Sequence, residues 1–92
     1  MATLIDSEIA SRLAALPAWR LQSGELVRTF SYTDFKEALA FVNRVGLLAE
    51  AAGHHPDIDI RYNRVHLALV SHDAGGLTTK DFDLASEIDR AV

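Results

Sequence analysis

The chain has 92 residues, of which 49% are hydrophobic and 24% charged, and its formal net charge is −4. This length and composition predict one globular domain over residues 1–92 and exclude a disordered chain. The Lys and Arg residues form no basic stripe of the kind that a phosphate backbone requires, so no direct nucleic-acid binding is expected. Without cysteines there are no disulfides and no thiolate metal sites. The N-terminal residues resemble neither a signal sequence nor a membrane span, so the protein is expected in the cytoplasm, away from membranes.

The N-terminal third of the chain predicts a short helix and then a β-hairpin. Asp6-Ser7 is a candidate N-cap, and Pro17 stops the helical pattern. The apolar residues at helical spacing between them are Ile9, Leu13 and Leu16. Trp19 to Gln22 and Glu25 to Ser31 predict two strands, with Ser23-Gly24 as the turn.

A long helix is predicted from about Thr33 to Ala52, and Gly53 is the residue expected one step past its C-terminus. Its apolar arc includes Phe35, Ala38, Leu39, Phe41, Val42, Val45, Leu48 and Ala49. An arc wider than one sheet can cover predicts that part of the helix meets another subunit.

The C-terminal part predicts a second hairpin and a third helix. Asp57 to Tyr62 alternates between apolar and polar residues, Asn63-Arg64 is the predicted turn, and Val65 to Ser71 is the partner strand. Thr78 opens the last helix, whose buried stripe is expected to contain Phe82, Ala85, Ile88 and Val92. The order α-β-β-α-β-β-α predicts an α+β fold, with a four-stranded antiparallel sheet and three helices packed on one face.

Three of the four histidines lie near the junction between the long helix and the second hairpin. Pro56 pushes His55 into an extended conformation, so the side chains of His54 and His55 should diverge. His72 ends the strand that pairs with the strand after Pro56, and adjacent strands lie ~4.8 Å apart. We therefore expect His72 to come close to the histidine pair.

Structural explanations compete with a catalytic one. The histidine pair suits a surface loop or a turn, and His66 lies in mid-strand, where it is expected to be structural or exposed. Thr78-Thr79-Lys80-Asp81 matches a Thr-x-x-acid capping box, so the first role expected of Asp81 is to cap the helix. A carboxylate at this position can also orient an imidazole. Glu50 lies near a helix C-terminus, where the helix dipole does not stabilise a carboxylate, and is therefore a candidate ligand contact.

The residue types favour acid and base chemistry without a metal or cofactor. Adjacent histidines on an extended segment point apart, and the chain has neither an i, i+4 helical His pair nor a Cys, which argues against a metal site. A Ser-His-Asp hydrolase is disfavoured, because Ser71 and His72 are strand neighbours whose side chains point to opposite faces. Two imidazoles can donate and accept a proton at neutral pH, since free imidazole titrates at ~6.5.

The spacing of these residues is similar to the signature of the pterin-4a-carbinolamine dehydratase family. The motif consists of Glu50-x-x-x-His54-His55-Pro56, followed by Tyr62, His72 and Asp81. The likeness extends to Trp19, Phe30, Phe41-Val42-x-Arg44-Val45, Tyr62-Asn63-Arg64-Val65-His66 and Gly76-Leu77-x-x-x-Asp81-Phe82-x-Leu84-Ala85. It covers the chain from about Leu13 to the C-terminus.

The resemblance implies dehydration of 4a-hydroxytetrahydropterin, the product of aromatic amino acid hydroxylases, to quinonoid dihydropterin. The catalytic residues it implies are His54, His55 and His72, with His54 and His72 as the acid and base and His55 orienting the pterin. The substrate-binding or supporting residues it implies are Glu50, Pro56, Ser71, Asp73 and Asp81.

The resemblance also implies partners: a pterin substrate, a homodimer or homotetramer, and a functional link to an aromatic amino acid hydroxylase. Two alternatives stay open at this point. One is a non-catalytic dimerization or binding module, and the other is a related role in molybdopterin metabolism.

Overall fold

Residues 2–92 are described by a computed structural model, and their helices and strands follow the predicted order. The elements are α1 (Asp6–Ala14), β1 (Arg20–Gln22), β2 (Glu25–Ser31), α2 (Phe35–Ala52), β3 (Asp57–Arg61), β4 (Arg64–Leu69) and α3 (Thr79–Ala91). The prediction of an α+β fold with a four-stranded antiparallel sheet is confirmed.

The two hairpins join through their second strands, which gives the spatial order β1-β2-β4-β3. In the central pair, Leu26 lies opposite Leu69 and Phe30 opposite Val65. Directly opposed residues of an antiparallel pair share a face of the sheet, so these four side chains form one apolar surface.

The helices cover that apolar surface, and the core lies between them and the sheet. Buried side chains of α2 and α3 pack against it, namely Ala38, Phe41, Val45 and Ala49 from α2 and Phe82, Leu84, Ala85 and Ile88 from α3. Full burial of one large apolar side chain stabilises a fold by about 1.5–3 kcal/mol. Helix α3 is therefore held mainly by apolar packing along its inner side.

A polar contact also fastens α3 to the first hairpin. One carboxylate oxygen of Asp89 accepts hydrogen bonds from Trp19 Nε1 at 2.8 Å and from Arg28 Nη1 at 2.6 Å. The Arg28 guanidinium in turn lies over the Phe30 ring, 4.2 Å from its centroid. This end of α3 is tied to the sheet, and its other end carries Asp81.

Helix α1 begins one residue earlier and ends two residues earlier than the sequence pattern predicts. Its N-cap is Ile5, with extended backbone, and not Asp6-Ser7. The Glu8 side chain accepts a hydrogen bond from the Ile5 backbone N–H at 3.1 Å, which supplies a cap without a polar N-cap residue. Leu16 lies beyond the helix but is buried in the core.

The second hairpin turns one residue earlier than predicted, at Tyr62-Asn63 and not at Asn63-Arg64. Tyr62 has a φ of 50°, as the tight two-residue turns of hairpins require, so its ring leaves the apolar face and is exposed. Arg64 instead pairs with Arg61 and opens β4. Because apolar residues alternate up to Tyr62, the sequence pattern predicts a strand at the position where the chain turns.

The C-terminal boundaries also differ from the prediction. Strand β4 ends at Leu69, and Ser71 keeps only an isolated bridge to Gly76. Val92 follows the last helical residue and is exposed, so it is not part of the buried stripe. The chain from Ser71 to Gly76 is thus a closed turn beyond the sheet, and His72 lies in this turn and not at the strand end.

Candidate active site

The end of α2 fixes the backbone of the histidine pair. Gly53 has a φ of 62°, the left-handed conformation that ends many helices and that only glycine adopts without strain. The His54 N–H donates to the Ala49 carbonyl at 3.1 Å, which closes the last turn of the helix. His54 therefore leaves α2 in a defined direction, and the prediction for Gly53 is confirmed.

His54 is held by a buried carboxylate on α3. Its Nε2 and Asp81 Oδ1 are 2.5 Å apart, and the two side chains are 12% and 0% exposed. The other Asp81 oxygen, Oδ2, accepts hydrogen bonds from Ser71 Oγ and from the Thr78 backbone N–H, both at 2.9 Å. One side chain thus caps α3, as the capping box predicts, and binds an imidazole.

These contacts determine which nitrogen of His54 carries a proton. An ionised carboxylate only accepts hydrogen bonds, so the short contact requires that Nε2–H donates. In the neutral imidazole, Nδ1 is then the acceptor. The first turn of α3 also favours negative charge on Asp81, because the helix N-terminus carries positive partial charge. The arrangement holds His54 in one tautomer and one orientation.

His55 turns away from its neighbour and binds a different carboxylate. Its Nε2–H donates to Glu50 Oε2 in the last turn of α2. The side chains of His55 and Glu50 are 62% and 76% exposed, in contrast to the buried pair beside them. The predicted divergence of the two imidazoles is confirmed. As a consequence, His54 is mostly buried and His55 is exposed to solvent.

All three histidines of the motif face one open pocket of about 370 Å³. The lining residues are Gly53, His54, His55, Val70, His72, Asp73 and Lys80. His72 and Asp73 come from the turn after β4, which is closed by a hydrogen bond from the Ser71 N–H to the Gly76 carbonyl at 3.1 Å. The fold therefore brings together chain segments that lie almost twenty residues apart.

Residues 2–91 match the profile of the family described as pterin 4 alpha carbinolamine dehydratase. The chain belongs to this dehydratase family. A protein of Acidobacterium capsulatum named "Putative pterin-4-alpha-carbinolamine dehydratase" is 62% identical over 89 residues, which cover 97% of each chain. A protein of Chloroflexus aurantiacus with the same name is 63% identical over 92 residues, covering 100% of this chain and 99% of that one.

Two solved structures share the fold. The crystal structure of a transcriptional coactivator/pterin dehydratase from Brucella melitensis superposes with a TM-score of 0.92 at 32% identity, and 97% of each chain is covered. A pterin dehydratase-like protein described as a RuBisCO assembly factor superposes with a TM-score of 0.69 at 23% identity, over 80% of this chain and 88% of that one. The second likeness concerns the fold alone.

In this member of the dehydratase family, the predicted site residues occupy two layers. His54, His55, His72 and Asp73 line the pocket, whereas Pro56, Ser71 and Asp81 are buried outside its lining. Glu50 lies beside the pocket and reaches it through His55. Ser71 contacts Asp81 and Thr78, so its polar group is directed into the supporting layer.

Three residues of the pocket lining, Gly53, Val70 and Lys80, are not among the site residues that the sequence predicts. The capping box already explains the run in which Lys80 stands, so the sequence does not mark Lys80 as a site residue. The sequence signal for Lys80 is its position next to a capping carboxylate, because Asp81 turns back to the helix end and its neighbour faces another direction. Val70 follows the last residue of β4, continues the apolar pattern of the predicted strand and gives no such signal.

Within residues 2–92, no cluster of three or more His, Cys, Asp or Glu side chains is arranged to hold a metal ion. The same part of the chain contains no helix long and apolar enough to cross a membrane.

Proposed function

We propose that this chain, as one domain, dehydrates 4a-hydroxytetrahydropterin to quinonoid dihydropterin and water. The observation that carries the proposal is the hydrogen bond between the sheltered His54 and the buried Asp81, in a pocket that His55 and His72 also line. The pocket volume of about 370 Å³ falls within the ~300–1,000 Å³ usual for small-molecule sites.

The reaction requires one acid and one base. The C4a–O bond breaks and its electron pair leaves with the hydroxyl oxygen, which takes up a proton and departs as water. N5 gives up its proton, and its N–H electron pair forms the N5=C4a double bond. A group that protonates the hydroxyl and a second group that removes the N5 proton therefore both lower the barrier.

His54 is suited to be the base. Asp81 holds the Nε2 proton, which leaves Nδ1 as the nitrogen that accepts from N5. The imidazolium formed when His54 takes the N5 proton is stabilised by the adjacent carboxylate, and the buried position strengthens this attraction. The carboxylate itself stays ionised and acts through the histidine.

His72 is suited to be the acid, because within the described residues its side chain has no hydrogen-bond partner and lies exposed on the pocket wall. It can thus give its proton to the departing hydroxyl and recover one from solvent. His55 is restrained by Glu50 at the rim, which favours a binding role over proton transfer. The proposal uses no metal and no further cofactor.

The test is dehydration of 4a-hydroxytetrahydropterin by the purified protein after prolonged dialysis against EDTA. We expect full activity, and a ~10²- to 10⁴-fold lower kcat for His72→Ala, the usual worth of a positioned acid. His66→Ala is the control, because His66 binds Thr29 on the other face of the sheet and should leave kcat and KM nearly unchanged. Activity that is lost to EDTA and restored by zinc or iron, or normal turnover by the His72 variant, would contradict the proposal.

The proposal extends to partners. Several large apolar side chains of α2 stay exposed, with Phe35 at 45%, Leu39 at 42% and Leu47 at 73%, which favours a homodimer or homotetramer built on this helix. The same surface supports a second candidate function, a dimerization or binding module for another protein. We place the enzyme in the cytoplasm, in a pathway that supplies or regenerates a pterin for an aromatic amino acid hydroxylase.

A further inference from the structure

Ser71 is a buried polar residue to which the proposed mechanism gives no role. It is 2% exposed and lies outside the pocket lining, so its hydroxyl does not reach a molecule bound in the pocket. It directly precedes His72, the proposed acid, and its hydroxyl contacts Asp81, the carboxylate that binds the proposed base. Ser71 therefore has a connection to each of the two groups that transfer protons.

The backbone of Ser71 builds the turn that carries His72. Its N–H donates to the Gly76 carbonyl at 3.1 Å, and its carbonyl accepts from the N–H groups of Ala74 at 3.1 Å and Gly75 at 3.0 Å. These hydrogen bonds close the turn on itself. The position of His72 relative to the helices therefore depends on what holds this closed turn in place.

The hydroxyl of Ser71 fastens the turn to the start of α3. An ionised carboxylate only accepts hydrogen bonds, so the contact of 2.9 Å with Asp81 Oδ2 uses the single hydroxyl proton of Ser71. The contact of 2.8 Å between the Ser71 and Thr78 hydroxyls then requires that Thr78 donates. Hydrogen bonds thus run in one direction, from Thr78 through Ser71 to Asp81, and each of these residues is at most 2% exposed.

These donors fix the direction of the carboxylate. Asp81 Oδ2 is held by the Ser71 hydroxyl and the Thr78 backbone N–H, so Oδ1 faces His54. Without the Ser71 hydroxyl, Oδ2 keeps one of these two donors, and a buried charge that lacks hydrogen bonds is costly. The carboxylate then has reason to turn towards other donors, and His54 loses its single orientation.

We propose that Ser71 is a positioning residue that joins the acid to the base. Its backbone holds the turn of His72 and its hydroxyl holds the carboxylate of His54, so this one residue sets the spacing of the two imidazoles. The inference rests on the proposed function. Spacing matters because proton transfer needs heavy atoms ~2.6–3.2 Å apart, and a misplacement of ~1 Å can cost ~10²-fold in rate.

The first test measures kcat and KM for variants of Ser71. Ser71→Ala should lower kcat about tenfold or more, the factor that one hydrogen bond to a charged group is worth, and should leave KM nearly unchanged because the pocket lining is intact. Ser71→Thr keeps the hydroxyl and should restore most of kcat. Thr29→Ala is the matched control, since it removes a hydroxyl that binds His66 on the other face of the sheet, and it should keep the wild-type kcat.

A double-mutant cycle with Asp81→Asn separates positioning from stability. In Asp81→Asn the base is already in the wrong tautomer, so adding Ser71→Ala should change kcat by less than about twofold while it still lowers the urea midpoint. Equal losses of kcat in both backgrounds would show that Ser71 does not act through Asp81 and would overturn the inference. Ser71→Cys keeps the size of the side chain with a weaker donor, and it replaces Ser71→Ala if that variant does not fold.

A measurement without substrate keeps this inference separate from the proposed function. In mildly alkaline buffer, where an imidazole is neutral, ¹⁵N NMR of His54 should show one protonated nitrogen in the wild type and an averaged pair of shifts in Ser71→Ala. If the wild type dehydrates its substrate and Ser71→Ala keeps kcat within about twofold, the positioning role is overturned and the dehydratase stands. If the wild type does not dehydrate it, the proposed function fails, and unchanged NMR shifts in Ser71→Ala would overturn the orienting role as well.

Discussion

Replacement of Asp81 by Asn tests how the buried carboxylate acts, because it removes the charge and keeps the shape of the side chain. Asp81 is fully buried and accepts three hydrogen bonds, from His54, Ser71 and Thr78. An Asn oxygen in the place of Oδ2 keeps the bonds from Ser71 and Thr78. Its NH₂ group then faces His54 Nε2 in the place of Oδ1.

The amide donates hydrogen bonds where the carboxylate accepted one, so His54 Nε2 has to become the acceptor and its proton moves to Nδ1. The nitrogen proposed as the base is then already protonated. We expect Asp81→Asn to lower kcat by ~10²- to 10⁴-fold with little change in KM, the magnitude of losing a positioned base. A tautomer change caused by an Asp-to-Asn substitution has cost about 10⁴-fold in the serine protease triad.

The same substitution should lower the free energy of unfolding. The bond between His54 and a charged group, worth about 1.5–3 kcal/mol, becomes a bond between neutral groups, worth about 0.5–1.5 kcal/mol. Loss of negative charge in the first turn of α3 adds about 0.3–1 kcal/mol. We therefore expect the free energy of unfolding to fall by about 1–2.5 kcal/mol, measured by urea unfolding monitored by circular dichroism. Activity is measured under conditions where the variant stays folded.

Asp89→Asn is the matched control. Asp89 lies on the same helix and accepts hydrogen bonds from Trp19 and Arg28, so its loss should also lower stability, by about 1–3 kcal/mol. Among residues 2–92, Asp89 has no hydrogen bond or ion pair with a histidine, so the variant should keep the wild-type kcat. An Asp81→Asn variant that turns over normally, or an Asp89→Asn variant with an equal loss of kcat, would refute the tautomer argument.

Three further predictions concern other parts of the molecule. His55→Ala should raise KM more than it lowers kcat, and His54→Ala should do the reverse; steady-state kinetics with the opposite pattern would show that the roles are exchanged. Sedimentation should show a dimer or larger species at micromolar concentration, and Leu47→Lys should shift it towards monomer; a monomeric wild type would contradict this. Burial raises the pKa of Tyr32 above its ordinary value of 10.0, and among residues 2–92 its hydroxyl has no hydrogen-bond partner. Below pH ~10 the phenol is neutral in both states, and as the pH rises from there through the folded-state pKa the fold loses stability, because the phenolate forms more readily in the unfolded chain. Tyr32→Phe should therefore raise the free energy of unfolding by about 1 kcal/mol at pH 7 and weaken its alkaline decline; urea midpoints at pH 8 and 10.5 that decline as in the wild type would count against it.

Local chemistry was sufficient to predict much of this protein from its sequence. The glycine after α2, the capping box at α3 and the divergence of His54 and His55 depend on residues a few positions apart, and all were predicted correctly. The types and order of the helices and strands follow from apolar periodicity in the same way. Where local signals were weak or concealed, as at Ile5 and Tyr62, the boundaries were wrong by one or two residues.

Only the tertiary structure decided which groups meet across the chain. The sequence indicated that Asp81 can orient an imidazole, but its pairing with His54, 27 residues earlier, depends on how α3 lies against the end of α2. The burial of Ser71 beneath the pocket and the exposure of Lys80 at its wall depend on the same packing. Periodicity assigns a residue to one face of its own helix or strand. A site that lies between helices and strands also depends on how they are placed relative to one another, and the packing of the whole core determines that placement.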